Sequence, residues 1–499
     1  TASLDDKLSA INDSDVNVAM VAHQYRRDFG VDADTFMVQV DRERARYGSW
    51  YEMFPRSAGE AATGATFREA AKHLAYVADL GFDVVYLPPI HPIGHDKRKG
   101  RNNSLDCQPD DPGSPWAVGS SAGGHDAIEP ALGDINEFRF FVAEAKSQGL
   151  EIALDLALQC SPDHPYVVAH PEWFRHRPDG TIHYAENPPK KYQDIYPFNF
   201  ECAQWESLWE EILRVVLFWV DQGVRIFRVD NPHTKPFAFW EWLLAEVRNK
   251  DNGVLFLSEA FTRPKVMYAL AKLGFHQSYT YFTWRNSKQE LMDYVTELTS
   301  TAPSEFFRPN FFANTPDILH AVLQQGGRPA FQLRAVLAAT LSANYGIYSG
   351  YELCENEAVP GTEEYLNSEK YEVRRRDWNA PGNIKELLRN LNAIRRENSA
   401  LQYTNNLQFL EVNNSQLLAY VKQSDSPENT IICCVNLDPY QAQEGMVRVP
   451  IDWLGRGGEY LVHDLLSGER YQWRAEWNYV RLDPERAPAH IFRVEEWDR

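Results

Sequence analysis

Three acidic residues stand where strand-like runs end: Asp230, Glu259 and Asp317. Asp230 closes the run Gly223-Val-Arg-Ile-Phe-Arg-Val-Asp230, Glu259 follows Val254-Leu-Phe-Leu-Ser258, and Asp317 ends Asn314-Thr-Pro-Asp317. Paired carboxylates are the working groups of glycoside chemistry: one attacks the anomeric carbon, and the other serves as acid and then base. The retaining version needs the two carboxyl groups about 5–5.5 Å apart, a separation that acids on successive strand ends can meet. Arg228 stands two residues before Asp230 and therefore on the same face of the strand. An arginine inside a buried strand needs a partner. On this segment alone, a structural Arg–Asp pair and a catalytic carboxylate with its orienting cation fit equally well. Single strand-end acids often cap loops or helices; three in one frame weigh toward chemistry.

Positioning these acids demands a scaffold of strands. Val224, Ile226, Phe227 and Val229 read as a buried parallel strand. It is the fourth of eight, expected at 48–54, 84–87, 151–158, 223–230, 254–258, 277–281, near 306–312, and at 345–349. Helices are expected at 67–80, 135–148, 205–222 and 383–398, with Gly149 as a stop signal. This alternation predicts an α/β fold of the (β/α)8 TIM-barrel class, whose sites form at the C-terminal strand ends. Long loops follow strand two (91–124) and strand three (160–204), and loops beyond about 15 residues are seldom idle connectors. Residues 1–46 read as an N-terminal helical segment, 47–400 as the barrel with its insertion at 160–204, and 401–499 as an antiparallel β-sandwich. The last rests on short alternating runs such as Leu417-Leu-Ala-Tyr-Val421, Thr430-Ile-Ile-Cys-Cys-Val435 and 458–462.

The net charge of −20 argues against nucleic acid and anionic membrane surfaces as partners. It leaves an anionic substrate open, because a few local cations outweigh a remote field. The 14 Trp, 24 Tyr and 26 Phe suit sugar stacking, and also a large core. Cys107, Cys160, Cys202, Cys354, Cys433 and Cys434 show neither metal spacing nor a disulfide framework, which favours a reducing cytoplasm. His91, His125 and His164 lie in the site-facing loops without metal spacing, so no metal is expected, and His125 is expected to line the pocket. No Gly-rich nucleotide motif follows a strand, so no cofactor is expected.

The barrel resembles the α-amylase superfamily (glycoside hydrolase family 13). The resemblance is carried by Ala127-Ile-Glu-Pro-Ala-Leu-Gly-Asp134, by Asp155 at the end of strand three, by the run to Asp230, and by Glu259. It implies Asp230 as nucleophile, Glu259 as general acid/base and Asp317 as the third acid, which grips substrate hydroxyls at the transition state. Arg228 would orient Asp230, and Asp155 would be a structural or sugar-contacting acid. Two departures stand out: Gln159-Cys160 replaces the Asn-His pair typical of amylases, and Pro316 replaces the His before the third acid.

These departures match a narrower group, the bacterial α-1,4-glucan:maltose-1-phosphate maltosyltransferases. The shared segments include Arg98-Lys-Gly-Arg-Asn-Asn103, Gln159-Cys-Ser-Pro-Asp-His-Pro165, Glu186-Asn-Pro-Pro-Lys-Lys-Tyr192, Glu259-Ala-Phe-Thr-Arg-Pro264 and Ser368-Glu-Lys-Tyr-Glu372. The resemblance implies maltosyl transfer from α-maltose 1-phosphate to an α-1,4-glucan, with inorganic phosphate as product. Lys99, Asn187, Tyr192 and Asn231 would contact the phosphate, Gln159 the bound sugar, and Lys370 with Tyr371 the distal glucose. Taken alone, Lys97-Arg-Lys-Gly-Arg101 reads as a solvated basic loop, the more common fate of such a run, and Asn187 with Tyr192 as turn and packing residues. The family's homodimer is built partly by an additional N-terminal β-domain that is not read in these residues, which weakens that implication. The alternatives are an amylase-superfamily hydrolase or isomerase acting on α-glucosides, and a glycan-binding pseudoenzyme. The presence of all three acids speaks against the last.

Overall fold

The computed structural model describes residues 3–4, 8–9, 13–22, 38–61, 63–187, 190–424, 429–450 and 459–495. They fall into two compact units, 1–41 and 42–499. In the first, the helix Ser14–Ala22 is described; the rest of the helical segment expected before residue 38 lies largely outside the described residues, as does Gly458 of the run expected at 458–462.

In the second unit eight parallel strands form one sheet: β1 Gly48–Glu52, β2 Val84–Leu87, β3 Glu151–Leu156, β4 Ile226–Val229, β5 Leu255–Ser258, β6 Gln277–Ser278, β7 Asn310–Phe312 and β8 Asn344–Tyr348. β1 pairs with both β2 and β8, so the sheet curls back on itself. The last gap, between β6 and β7, is spanned by one parallel bridge, Ser278 to Pro309, with Ser278 N–H donating to Arg308 O at 3.0 Å. The result is the (β/α)8 barrel that the alternation predicts. A long helix follows each strand: Phe67–Asp79, Ile135–Ser147, Trp205–Asp221, Phe237–Lys250, Pro264–Leu273, Lys288–Ser300, Ala321–Leu341 and Lys385–Glu397, with the short helix Pro165–Ala169 added after β3.

Local chemistry sets several helix ends. Thr66 with Glu69 and Ser287 with Glu290 form capping boxes, each satisfying two otherwise orphaned donors. Asp134 caps Ile135–Ser147 by accepting from Asn136 N and Glu137 N. Gly149, at φ 77°, lies just past that helix, in the left-handed conformation that suits a stop. Ala321–Leu341 is broken at Gly327 (φ 55°, ψ −158°), ahead of Pro329. From Pro329 onward every residue is buried, so no apolar stripe marks it in the sequence.

The barrel interior is filled by Trp50, Val84, Tyr86, Ala153, Ile226, Leu255, Leu257, Tyr279 and Phe312. Strand side chains alternate, so the residue two beyond an inward one also points inward. That parity carries Trp50 to Glu52, Ala153 to Asp155, and Leu257 to Glu259. The expected loop excursion at 160–204 has structure of its own. Gln159–Cys160 pairs with Tyr196–Pro197, and Ala185–Asn187 forms a hairpin with Lys190–Tyr192. Eight antiparallel strands between Leu407 and Glu495 make the C-terminal sheet assembly, with its own core of Leu410, Val421, Ile432, Val462, Trp473 and Phe492 among others. No described helix is long and apolar enough to cross a membrane.

Candidate active site

Arg228 is the hub of the C-terminal mouth. One of its terminal nitrogens donates to Asp155 Oδ2 at 2.8 Å and Asp230 Oδ1 at 3.3 Å, and the other forms an ion pair with Glu259 Oε1 at 2.6 Å. A rigid guanidinium fork suits several carboxylates at once. The acids extend the strand ladder by one residue: Asp230 N–H donates to Leu156 O at 3.2 Å, and Glu259 N–H to Val229 O at 3.1 Å. Their side chains therefore inherit the inward parity of β4 and β5. Asp155 also accepts from Tyr86 OH at 2.5 Å and Trp116 Nε1 at 3.3 Å. Asn231 adopts a left-handed conformation (φ 43°, ψ 55°), which asparagine tolerates better than most residues. Its Nδ2 reaches Asp230 Oδ1 at 3.2 Å, and its N–H points to Glu259 Oε2 at 3.4 Å.

Burial and crowding of like charges set the electrostatics. Burial raises Glu259 well above the ordinary carboxyl range; Arg228 opposes this, and Asp230 and Asp317 reinforce it. Burial likewise pushes Asp155 up to about 7, against Arg228. For Arg228, burial works against the charge, but Asp155 and Glu259 more than restore it. The site thus holds a carboxyl disposed to carry a proton, Glu259, beside a permanently charged arginine.

Asp317 is held from a different side. Asn314 pins the turn after β7 to β8, accepting from Tyr348 N at 2.8 Å and donating to Tyr365 OH at 2.7 Å. Lys370 forms a close ion pair with Asp317. Its ammonium lies 5.2 Å from the Trp116 ring and 5.8 Å from the Tyr371 ring. Burial would raise Asp317, yet Lys370, joined by Lys190 and Arg228, keeps the carboxyl below its ordinary range. Arg56 fixes the Lys370 loop by donating to Glu369 O at 2.8 Å and Lys370 O at 3.0 Å.

Of the other residues singled out in the sequence, Tyr192 shares the field of Lys370, Lys190 and Asp317, and burial raises its hydroxyl. Asn187 occupies the paired strand beside it. Lys99 is buried and donates to Gln193 Oε1 at 2.7 Å and Lys191 O at 3.4 Å. It braces the segment that carries Tyr192, and the acid that acts on its charge is Asp194. Gln159 is half-buried and donates to Trp116 O at 3.3 Å. His125, expected to line the pocket, is instead buried in a chain of neutral rings. Tyr166 N–H donates to His164 Nδ1, which places the proton on His164 Nε2, 3.1 Å from His125 Nδ1. His125 Nε2–H then donates to Ala157 O at 3.0 Å. With Cys160 these rings bring ligand-type atoms within 4.8 Å of one another. Every ring nitrogen already has a hydrogen-bond partner, and burial lowers His125 to about 4 and His164 to about 2. A clash-free approach of Gly119 and Gly124 to His164, where a Cβ would come within 2.0 and 2.5 Å, locks the pair.

Four participants escaped the sequence reading. Glu52 ends β1 facing inward, and burial raises it well above the carboxyl range, opposed first by Arg228. Tyr86, Tyr279 and Lys235 also face the cluster. Spacing by two along an expected strand, Trp50 to Glu52 and Val84 to Tyr86, is the signal that could have found the first two.

The C-terminal region matches a family model described as GLGE, C-terminal, over residues 409–494. Similar proteins include α-1,4-glucan:maltose-1-phosphate maltosyltransferase 2 of Streptomyces coelicolor, 55% identical over 99% of this chain and 75% of that one. The maltosyltransferase of Chlorobaculum tepidum is 54% identical over 92% of this chain and 70% of its own. Among solved structures, an α-amylase from Lactobacillus plantarum superposes with a TM-score of 0.70 at 19% identity, covering 91% of this chain and all (100%) of that one. That likeness is one of fold.

Proposed function

This chain belongs to the α-1,4-glucan:maltose-1-phosphate maltosyltransferase family, and on that premise we propose that it moves maltosyl units from α-maltose 1-phosphate to the non-reducing end of an α-1,4-glucan. Phosphate is the co-product. The observation that carries the mechanism is the single guanidinium shared by Asp230 and Glu259. It keeps the two carboxyl groups close, in keeping with the short separation of retaining chemistry.

In the first step an Asp230 oxygen bonds the anomeric carbon as the bond to the phosphate oxygen breaks. Phosphate departs with the electron pair and takes the Glu259 proton. In the second step the acceptor 4-hydroxyl attacks the same carbon and gives its proton to Glu259, and Asp230 leaves. Two inversions return the α-configuration. Asp317 holds sugar hydroxyls, kept ionised by Lys370. Arg228 orients Asp230, and Asp155 anchors Arg228 from below. Asn231, Tyr192, Asn187 and Lys99 serve the phosphate end, Gln159 the bound sugar, and Lys370 with Tyr371 the distal glucose. The six unpaired cysteines support a reducing, cytoplasmic setting. A homodimer is proposed on the family relationship, and the mass in solution tests it.

The deciding experiment incubates the protein with α-maltose 1-phosphate, with and without a short malto-oligosaccharide. Phosphate release that depends on the acceptor, with products longer by two glucose units, is expected. Release at the same rate without acceptor would favour a hydrolase.

A further inference from the structure

Lys235 lies on the loop that begins at the nucleophile, and none of the roles above uses it. Its Nζ donates to Asp230 O and to Asn231 O, each at 3.2 Å. These carbonyls belong to the nucleophile and to the residue after it, whose N–H points to Glu259 Oε2. A left-handed non-glycine residue costs energy and persists only where its surroundings over-determine it. Here Lys235 is one constraint, Thr234 Oγ1 donating to Asn231 O at 2.8 Å is a second, and Trp240 Nε1 on Pro232 O at 2.9 Å is a third. With the turn so held, Asn231 addresses Asp230 through its amide and Glu259 through its N–H.

We propose that Lys235 is a positioning residue for glycosyl transfer: by tying the carbonyls of Asp230 and Asn231 it fixes the direction from which Asp230 attacks and the aim of Asn231 at the leaving group. The ammonium also adds a cation beside the acids. Burial lowers its pKa, while Asp230 and then Glu259 are the charges that oppose the loss. The inference rests on the assignment of Asp230 as nucleophile.

The test uses the full chain with Lys235→Met, Lys235→Arg and Asp230→Ala, assayed on α-maltose 1-phosphate and on α-maltosyl fluoride. A nucleophile displaced by a fraction of an ångström loses about 10–100-fold in rate. Lys235→Met should therefore lower kcat on both donors by that factor, with KM little changed. Removing a nearby cation raises a carboxyl pKa, so the pH–rate profile should move to higher pH. Lys235→Arg should recover most of the rate and the original profile. A Lys235→Met protein with wild-type kcat and profile would overturn the inference. So would a loss with an unmoved profile that Lys235→Arg fails to recover, since that is the behaviour of packing alone. If the methionine variant does not fold, Lys235→Gln carries the same readouts. Turnover by Asp230→Ala would remove the nucleophile assignment instead; an inactive Asp230→Ala beside a normal Lys235→Met overturns this inference only.

Discussion

Replacing Arg228 by methionine removes the one guanidinium that Asp155, Asp230 and Glu259 share. Methionine keeps much of the volume, so the loss is one of charge and hydrogen bonds. The side chains concerned are 6% exposed for Arg228, 0% for Asp155, 10% for Asp230 and 13% for Glu259, so water cannot take over. Removing one partner of a buried ion pair costs about 3–5 kcal/mol, because the other charge stays buried and unpaired. The cost must depend on pH. Asp155 and Glu259 already have folded-state pKa values above their unfolded ones. Holding those protons costs stability as pH rises from the unfolded value toward the folded one. Without Arg228 the folded values climb further, so the penalty grows from pH 5 to pH 8. Thermal unfolding of wild type and Arg228→Met at both pH values, with kcat alongside, measures it. We expect a deficit at pH 8 near the full magnitude, a smaller one at pH 5, and a rate loss of at least about 100-fold from the freed nucleophile. Equal destabilisation at the two pH values, or retained turnover, would show that Arg228 is not the shared charge partner of these carboxyl groups.

Asp230→Ala should abolish turnover while leaving the melting temperature close to wild type, since a nucleophile is removed and no core is lost. Glu259→Ala should let a maltosyl-enzyme accumulate, visible as a mass increase of the intact protein, because phosphate can depart with little acid help. Lys99→Ala should weaken use of maltose 1-phosphate by about one to two powers of ten while sparing a donor with an uncharged leaving group; equal losses on both would assign Lys99 to bracing the Gln193 segment alone. In the C-terminal sheet, burial and then Arg395 lower the fully buried Lys422 to about 7. Its folded pKa lies below the unfolded one, so it costs most stability below pH 7 and less as pH rises toward 10. Lys422→Met should raise the melting temperature at pH 6–7, with the advantage shrinking by pH 10.

The local features of this protein are legible in its amino-acid order. Short apolar runs marked the place of each strand, within about three residues at either end; the sixth, expected at 277–281, is only Gln277–Ser278, with Tyr281 already in the short helical turn Tyr281–Trp284, and the seventh, Asn310–Phe312, lies within the stretch marked for it. The expected helix ends fall within about two residues of those found, and Gly149 marked one of them, because a stop signal acts over one turn. Spacing by two placed Arg228 and Asp230 on one face. The tertiary structure decided which distant groups meet. Lys370 reaches Asp317 from 53 positions away, and Lys99 finds Gln193 at 94. β6 is two residues long and exists through its neighbours, since so short a strand has no pattern of its own. The far half of Ala321–Leu341 is buried all round, so periodicity could not reveal it. Glu52 looks like an ordinary strand-end acid until closure of the barrel brings it beneath Arg228. Charge clustering of this kind arises from loop closure across the whole barrel, and no short window of sequence carries it.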